Sequence, residues 1–173
     1  MKINRVYAQP SGETFKIKPI AELIARYVGD GKGWIDPCAG WNSPAEITND
    51  INPEAPTKYH LHAHEFCQEL KGLYEGILFD PPYSLTQMKE LYQSMGIDKL
   101  GGEDATRFYG RIRSLIAHKI KPGGIAISCS WNSIGMGKKW GFECSEILLV
   151  CHGRAHNDTI VTVEIKRNGV MQI

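Results

Sequence analysis

An α/β fold with a mostly parallel sheet and a C-terminal antiparallel hairpin is predicted by three observations. Short apolar runs alternate with helix-period segments along most of the chain, the pattern of a parallel sheet. The run G-I-L-F before Asp80 is apolar on successive residues, as a parallel strand covered on both faces should be. Finally, C-S-E-I-L-L-V-C-H-G and T-I-V-T-V-E-I-K-R flank the turn-rich R-A-H-N-D, so they read as a hairpin that adds an antiparallel edge strand.

Each element follows in order. In P-I-A-E-L-I-A-R-Y-V-G-D-G-K-G, residues Ile20, Leu23, Ile24, Tyr27 and Val28 recur at helical spacing before a glycine-rich stop. W-I-D-P is a short strand ended by proline. A-E-I-T-N-D-I-N-P-E reads as a turn of helix and then a second strand. Y-H-L-H-A reads as a third strand, H-E-F-C-Q-E-L-K-G-L-Y as a helix, and G-I-L-F-D-P-P-Y as the fourth strand. A helix over about 87–96, the loop I-D-K-L-G-G-E-D-A-T and the basic helix R-F-Y-G-R-I-R-S-L-I-A-H-K-I, closed by K-P-G-G, lead to the fifth strand, I-A-I-S-C-S-W. With the hairpin the expected sheet has seven strands and helices on both faces.

The 173 residues suffice for one domain with a sizeable core. No apolar run approaches a membrane span and the start carries no signal-peptide core, so the cytosol is the default compartment. Five cysteines without a C-x-x-C pair argue against a disulfide framework or a zinc site. The net charge is +1, yet residues 40–106 hold 11 acids and 4 bases, while residues 107–140 hold 7 bases and no acid. The basic stretch fits a solvated helix face and loop, or a surface that tracks phosphates.

Chemistry-bearing residues gather at strand ends. Pro81 and Pro82 cannot continue a ladder, so Asp80 stands at a strand's carboxyl end with Tyr83 just beyond, the edge where open α/β sheets bind ligands. W-I-D-P continues into Asp36, Pro37, Cys38, Gly40 and Asn42, a turn in which Gly40 and Asn42 tolerate left-handed backbone angles. Asp50 ends the next strand, where an acid commonly meets ribose hydroxyls, although a lone acid there also serves as a cap.

In this order and spacing, D-P-C-A-G, N-D-I-N-P-E and D-P-P-Y resemble the Rossmann-like S-adenosylmethionine-dependent amino-methyltransferases, and most closely the small phage-type adenine-specific DNA methylases. The likeness covers nearly the whole chain as a single methyltransferase domain. It implies S-adenosyl-L-methionine as cofactor and adenine N6 in DNA as target, in a bacterial or phage-infected cell. T-F-K-I-K-P, with Phe15, Lys18 and Pro19, is similar to the segment that embraces the cofactor. Asp36, Pro37, Cys38, Gly40, Asn42, Asp50, Asp80 and, after the third strand, His62 stand where relatives contact it. Catalysis falls by the same likeness to Asp80, Pro81, Pro82 and Tyr83. The carboxylate and the Pro81 carbonyl would accept the two N–H bonds of a planar amino group, and the Tyr83 ring would stack on an extruded base.

Two departures stand out: Trp41 is bulky and Asn42 replaces a glycine of the relatives' first motif. His60, His62 and His64 would share a strand face, but without nearby Cys or carboxylate ligands they do not read as a metal centre. No insert is large enough for a separate target-recognition domain. Recognition then falls to residues 84–106, the 132–140 loop or a second copy of the chain. Arg107, Arg111, Trp131, Asn132, Lys138 and Lys139 are the candidate nucleic-acid contacts, with Trp140 either stacking on a base or tucked into the core. An RNA amino-methyltransferase acting on guanine N2 and a non-catalytic cofactor-binding protein remain alternatives. No helix-turn-helix or zinc-finger pattern is present to support a plain DNA-binding module.

Overall fold

Seven strands form one sheet: β1 (Lys2–Tyr7), β2 (Trp34–Asp36), β3 (Ile47–Thr48), β4 (Tyr74–Phe79), β5 (Ile120–Ser130), β6 (Phe142–Cys151) and β7 (Thr159–Lys166). Four helices accompany them: α1 (Lys18–Val28), α2 (Ala63–Glu69), α3 (Leu85–Ser94) and α4 (Ala105–Ala117). The computed structural model describes residues 1–96, 105–153 and 156–167. Residues 97–104, most of the expected I-D-K-L-G-G-E-D-A-T loop and part of the 84–106 segment, lie outside these. So do Arg154 and Ala155 of R-A-H-N-D.

The strand order is β1-β6-β7-β5-β4-β2-β3. β7 runs against both neighbours, and every other pairing is parallel. Six strands therefore deliver their carboxyl ends to one edge of the sheet, where β7 begins. The order reverses at β2, with β3 on one side and β4 on the other. In open α/β sheets such a reversal opens a crevice for a ligand.

The expected count of seven is met, but by different members. Y-H-L-H-A is not a strand; only an isolated bridge joins Asn49 to Tyr59. Pro53 and Pro56 precede it, and the buried Asn49 side chain takes over the bonding a strand would make. Its Nδ2 donates to the carbonyls of Pro37 and Leu61 at 3.0 Å each, and its Oδ1 accepts from the Leu61 N–H at 2.9 Å. The missing member is β1, which pairs with β6 along its whole length. The hairpin is present, yet β7 lies inside the sheet between β5 and β6, and the edges are β1 and β3. The turn of helix expected before β3 is an irregular loop.

α1 begins with Pro19 in its first turn, where a missing N–H costs nothing. Its Ile20, Leu23, Ile24 and Val28 pack against Trp34, Leu78, Ile127 and Val161 on one face of the sheet. Burying each such side chain stabilises by about 1.5–3 kcal/mol. The opposite face is covered by Phe66 and Cys67 of α2, Met88 and Tyr92 of α3, and Ile112 and Ile116 of α4. Gly76 of β4 is required because a Cβ there would lie 2.7 Å from the Trp34 ring. No helix among the described residues is long and apolar enough to cross a membrane.

Candidate active site at the carboxyl edge of the sheet

A cavity of about 590 Å³ runs along the carboxyl edge, within the range of small-molecule sites. Its walls follow from the strand order. Residues 10–15 and 17 come after β1, Pro37–Asn42 after β2, Asp50 and Ile51 after β3, Asp80–Tyr83 after β4, Trp131 after β5 and His152 after β6. The charged carboxylate residues in the lining are Glu13, Asp50 and Asp80, and no lysine or arginine joins them among the described residues.

The turn after β2 is built around Asp36, which is fully buried. Its Oδ1 accepts the Cys38 N–H at 3.0 Å and its Oδ2 the Ser43 hydroxyl at 2.6 Å. Burial pushes the carboxyl up to about 7, against those two bonds and helped by the charges of Asp80 and Asp50. Asp36 thus lies beneath the cavity and shapes the turn. Gly40, at φ +53°, gives its N–H to Asp50 Oδ2 at 2.9 Å, while Asn52 donates to Oδ1 at 2.9 Å. Asn42 does not take the expected left-handed conformation; among the described residues only glycines have positive φ. Its Nδ2 instead reaches across to Glu13 Oε2, at 2.5 Å.

Asp80 and Tyr83 form the opposite lip. Tyr83 donates its hydroxyl to Asp80 Oδ1 at 2.7 Å, its N–H to Gln87 Oε1 at 2.7 Å, and its ring meets Trp131 edge-on with centroids 5.7 Å apart. Tyr109 donates to the Pro82 carbonyl, and Ser84 caps α3 by accepting from the Gln87 N–H at 3.1 Å. Gln87 of α3, Tyr109 of α4 and Trp131 after β5 thus hold this loop. Burial lifts the Asp80 carboxyl to about 6, opposed by the hydroxyls of Tyr83 and Thr14, and pushes the Tyr83 phenol and the Cys38 thiol well up.

Of the residues singled out in the sequence, Phe15, Pro37, Cys38, Gly40, Asn42, Asp50, Asp80, Pro81, Pro82, Tyr83 and Trp131 line this one cavity. Others do not. Lys18 is exposed and pairs with Glu22 in the first turn of α1, beside Pro19. His62 begins α2 behind Tyr92, 3.2 Å from the Tyr92 hydroxyl, and it is Tyr92 that faces the cavity. The three histidines do not share a strand face, since His64 is already inside α2. No cluster of three metal-ligating side chains occurs among the described residues. Arg107 and Arg111 are exposed on α4. Asn132 turns back on its own loop, accepting from the Ile134 N–H. Lys138 and Lys139 are exposed, with Lys139 Nζ 5.1 Å from the Trp140 ring centroid. Trp140 itself packs on the core. Their loop is pinned by buried Glu164, which accepts from the Met136 and Gly137 N–H groups.

Residues that the sequence did not mark also line the cavity. Glu13 immediately precedes the T-F-K-I-K-P segment, whose likeness would have reached it if extended by one residue. His152 and Thr159 are the two feet of the hairpin. His152 donates from Nδ1 to the Ala8 carbonyl at 2.9 Å and accepts the Thr159 hydroxyl at Nε2, also 2.9 Å. No periodicity marks a hydrogen bond between residues so far apart in sequence.

No protein-family model matches the sequence, and no curated protein is significantly similar to it. Solved structures are similar in fold. TrmN from Thermus thermophilus superposes with a TM-score of 0.58 at 13% identity, covering 87% of this chain and 49% of that one. The chain therefore spans about half the length of TrmN. The 1,6-didemethyltoxoflavin-N1-methyltransferase of Burkholderia thailandensis, solved with 1,6-didemethyltoxoflavin and S-adenosylhomocysteine, gives 0.58 at 12% identity over 87% of this chain and 78% of its own. An rRNA methylase from Streptococcus thermophilus gives 0.53 at 9%, over 84% and 93%. At such identities the likeness concerns the fold, and that fold is the Rossmann-like one of these methyltransferases.

Proposed function

We propose that this chain is a single catalytic domain that transfers a methyl group from S-adenosylmethionine to the exocyclic N6 amino group of adenine in DNA. The observation that carries the reading is one continuous cavity lined both by the Gly40–Asp50 turn and by the Asp80–Tyr83 lip. Its lining suits the cofactor. Carboxylates with no lysine or arginine among the described lining residues favour a ligand bearing sulfonium and ammonium charges over a nucleotide phosphate.

S-adenosylmethionine, when bound, supplies an electrophilic methyl whose transfer leaves a neutral thioether. Asp50 stands at the strand end that meets ribose hydroxyls, its carboxylate already oriented by two N–H groups. Asp80 keeps Oδ1 on Tyr83 and presents Oδ2 to one N–H of the target, and the Pro81 carbonyl accepts the other. Two acceptors on a flat amino group localise its lone pair for attack. The proton lost afterwards goes to Asp80 or to water. Tyr83 and Trp131 supply the aromatic walls for an unstacked base.

The test is transfer of tritium-labelled methyl from the cofactor to duplex DNA, single-stranded DNA, RNA and free nucleosides. Label in DNA at N6-methyladenine is expected. An RNA amino-methyltransferase is the second reading, favoured by structural neighbours that include an rRNA methylase. Label in RNA alone would establish it and overturn the first.

A further inference from the structure

Glu13 is a carboxylate in the cavity wall that the proposed reaction leaves without a task. It sits between β1 and α1 and lines the same space as Gly40 and Asp50. Both bonds to its carboxylate among the described residues, from Asn42 Nδ2 at 2.5 Å and from Lys16, fall on Oε2. Among the described residues nothing is bonded to Oε1. The hydrogen bond from Lys16 holds the Glu13 carboxyl below its ordinary value, with a smaller contribution from Asn42.

We infer that Glu13 is the anchor for the α-ammonium group of the methyl donor, and that Asn42 orients it for that purpose. The inference rests on the cofactor assignment above. A donor with an amino-acid tail carries an ammonium that needs an anionic acceptor once out of bulk water. Asp50 has both oxygens engaged by backbone N–H groups at the ribose end, and Asp80 faces the target amino group. Asp36 is buried beneath the turn and does not line the cavity. Glu13 remains, with an open oxygen. The same contact accounts for Asn42. A glycine at that position would leave Oε2 to the flexible Lys16 alone, whereas the amide fixes the carboxylate against the turn after β2.

Calorimetry with two ligands separates this role from a structural one. S-adenosylhomocysteine carries the ammonium group, and 5′-methylthioadenosine shares its adenosine and sulfur but lacks the amino-acid tail. Glu13→Gln keeps the shape and hydrogen-bonding capacity while removing the charge. It is expected to weaken S-adenosylhomocysteine binding by about 10- to 100-fold, the scale of a hydrogen bond to a charged group. Methylthioadenosine affinity should stay within about threefold of wild type. Asn42→Ala should show the same selectivity with a smaller loss, and the double variant should be no worse than Glu13→Gln. Equal weakening of both ligands would mean that Glu13 merely braces the wall, and unchanged affinity for both would leave it idle; either overturns the inference while the cofactor assignment stands. Failure of the wild-type protein to bind either ligand overturns the cofactor assignment and the inference with it.

Discussion

The Tyr83 hydroxyl lies 2.7 Å from Asp80 Oδ1 and donates to it, so one bond ties the ring to the carboxylate of the same lip. A donor on the charged form lowers a carboxyl's pKa. Removing it in Tyr83→Phe should therefore move the acid limb of kcat/KM to higher pH, by roughly one unit. An unchanged limb would mean that the bond is not kept in the working enzyme.

If Asp80 is the proposed acceptor, it should set that limb in the wild-type protein. Its carboxyl, lifted by burial to about 6, would have to be ionised to accept from the proposed target amino group. Activity should rise through about pH 6 and level off above it. Asp80→Ala should abolish methyl transfer while S-adenosylhomocysteine still binds by calorimetry. An active Asp80→Ala protein would refute the catalytic assignment.

Asp36 predicts a stability profile. Its folded carboxyl is raised to about 7 from an ordinary 3.8. Between those values the folded chain holds a proton that the unfolded chain has released, so this group's contribution to stability falls as pH rises through the window. Asn in its place can still accept the Cys38 N–H and can bond Ser43, without a buried charge. Urea unfolding of Asp36→Asn should show a higher midpoint than wild type at pH 8, by the equivalent of a few kcal/mol, and a flatter slope between pH 5 and 8.

Lys138 and Lys139 test the polymer assignment. Both are exposed on a loop held by Glu164 and neither lines the cavity. Replacing both with Ala should weaken DNA binding similarly across sequences and reduce the salt slope by about 2, with cofactor affinity unchanged. An unaltered slope would remove this loop from the nucleic-acid path.

The strands that could be read from sequence were those whose residues carry their own pattern. G-I-L-F is apolar throughout because β4 is covered on both faces, and T-I-V-T-V-E-I-K matches β7 because its register is long. β1 escaped notice: K-I-N-R-V-Y is mostly exposed at the sheet edge and owes its extension to β6. Y-H-L-H-A misled because alternation describes side-chain chemistry, whereas Asn49 decides where the backbone bonds go. The site followed the same division. Asp50 and Asp80 were legible as acids at strand ends. Glu13 and His152 were not, since each owes its place to a partner distant in the chain.

The pairing of Lys2 with Glu146 and of Tyr7 with Cys151 has a temporal consequence. In a nascent chain Glu13 and Phe15 emerge soon after β1, but β1 has no neighbour to join until β6 has been made. If Glu13 holds the proposed donor, its binding should therefore wait for β6 during synthesis and be lost early when the β6–β7 hairpin frays.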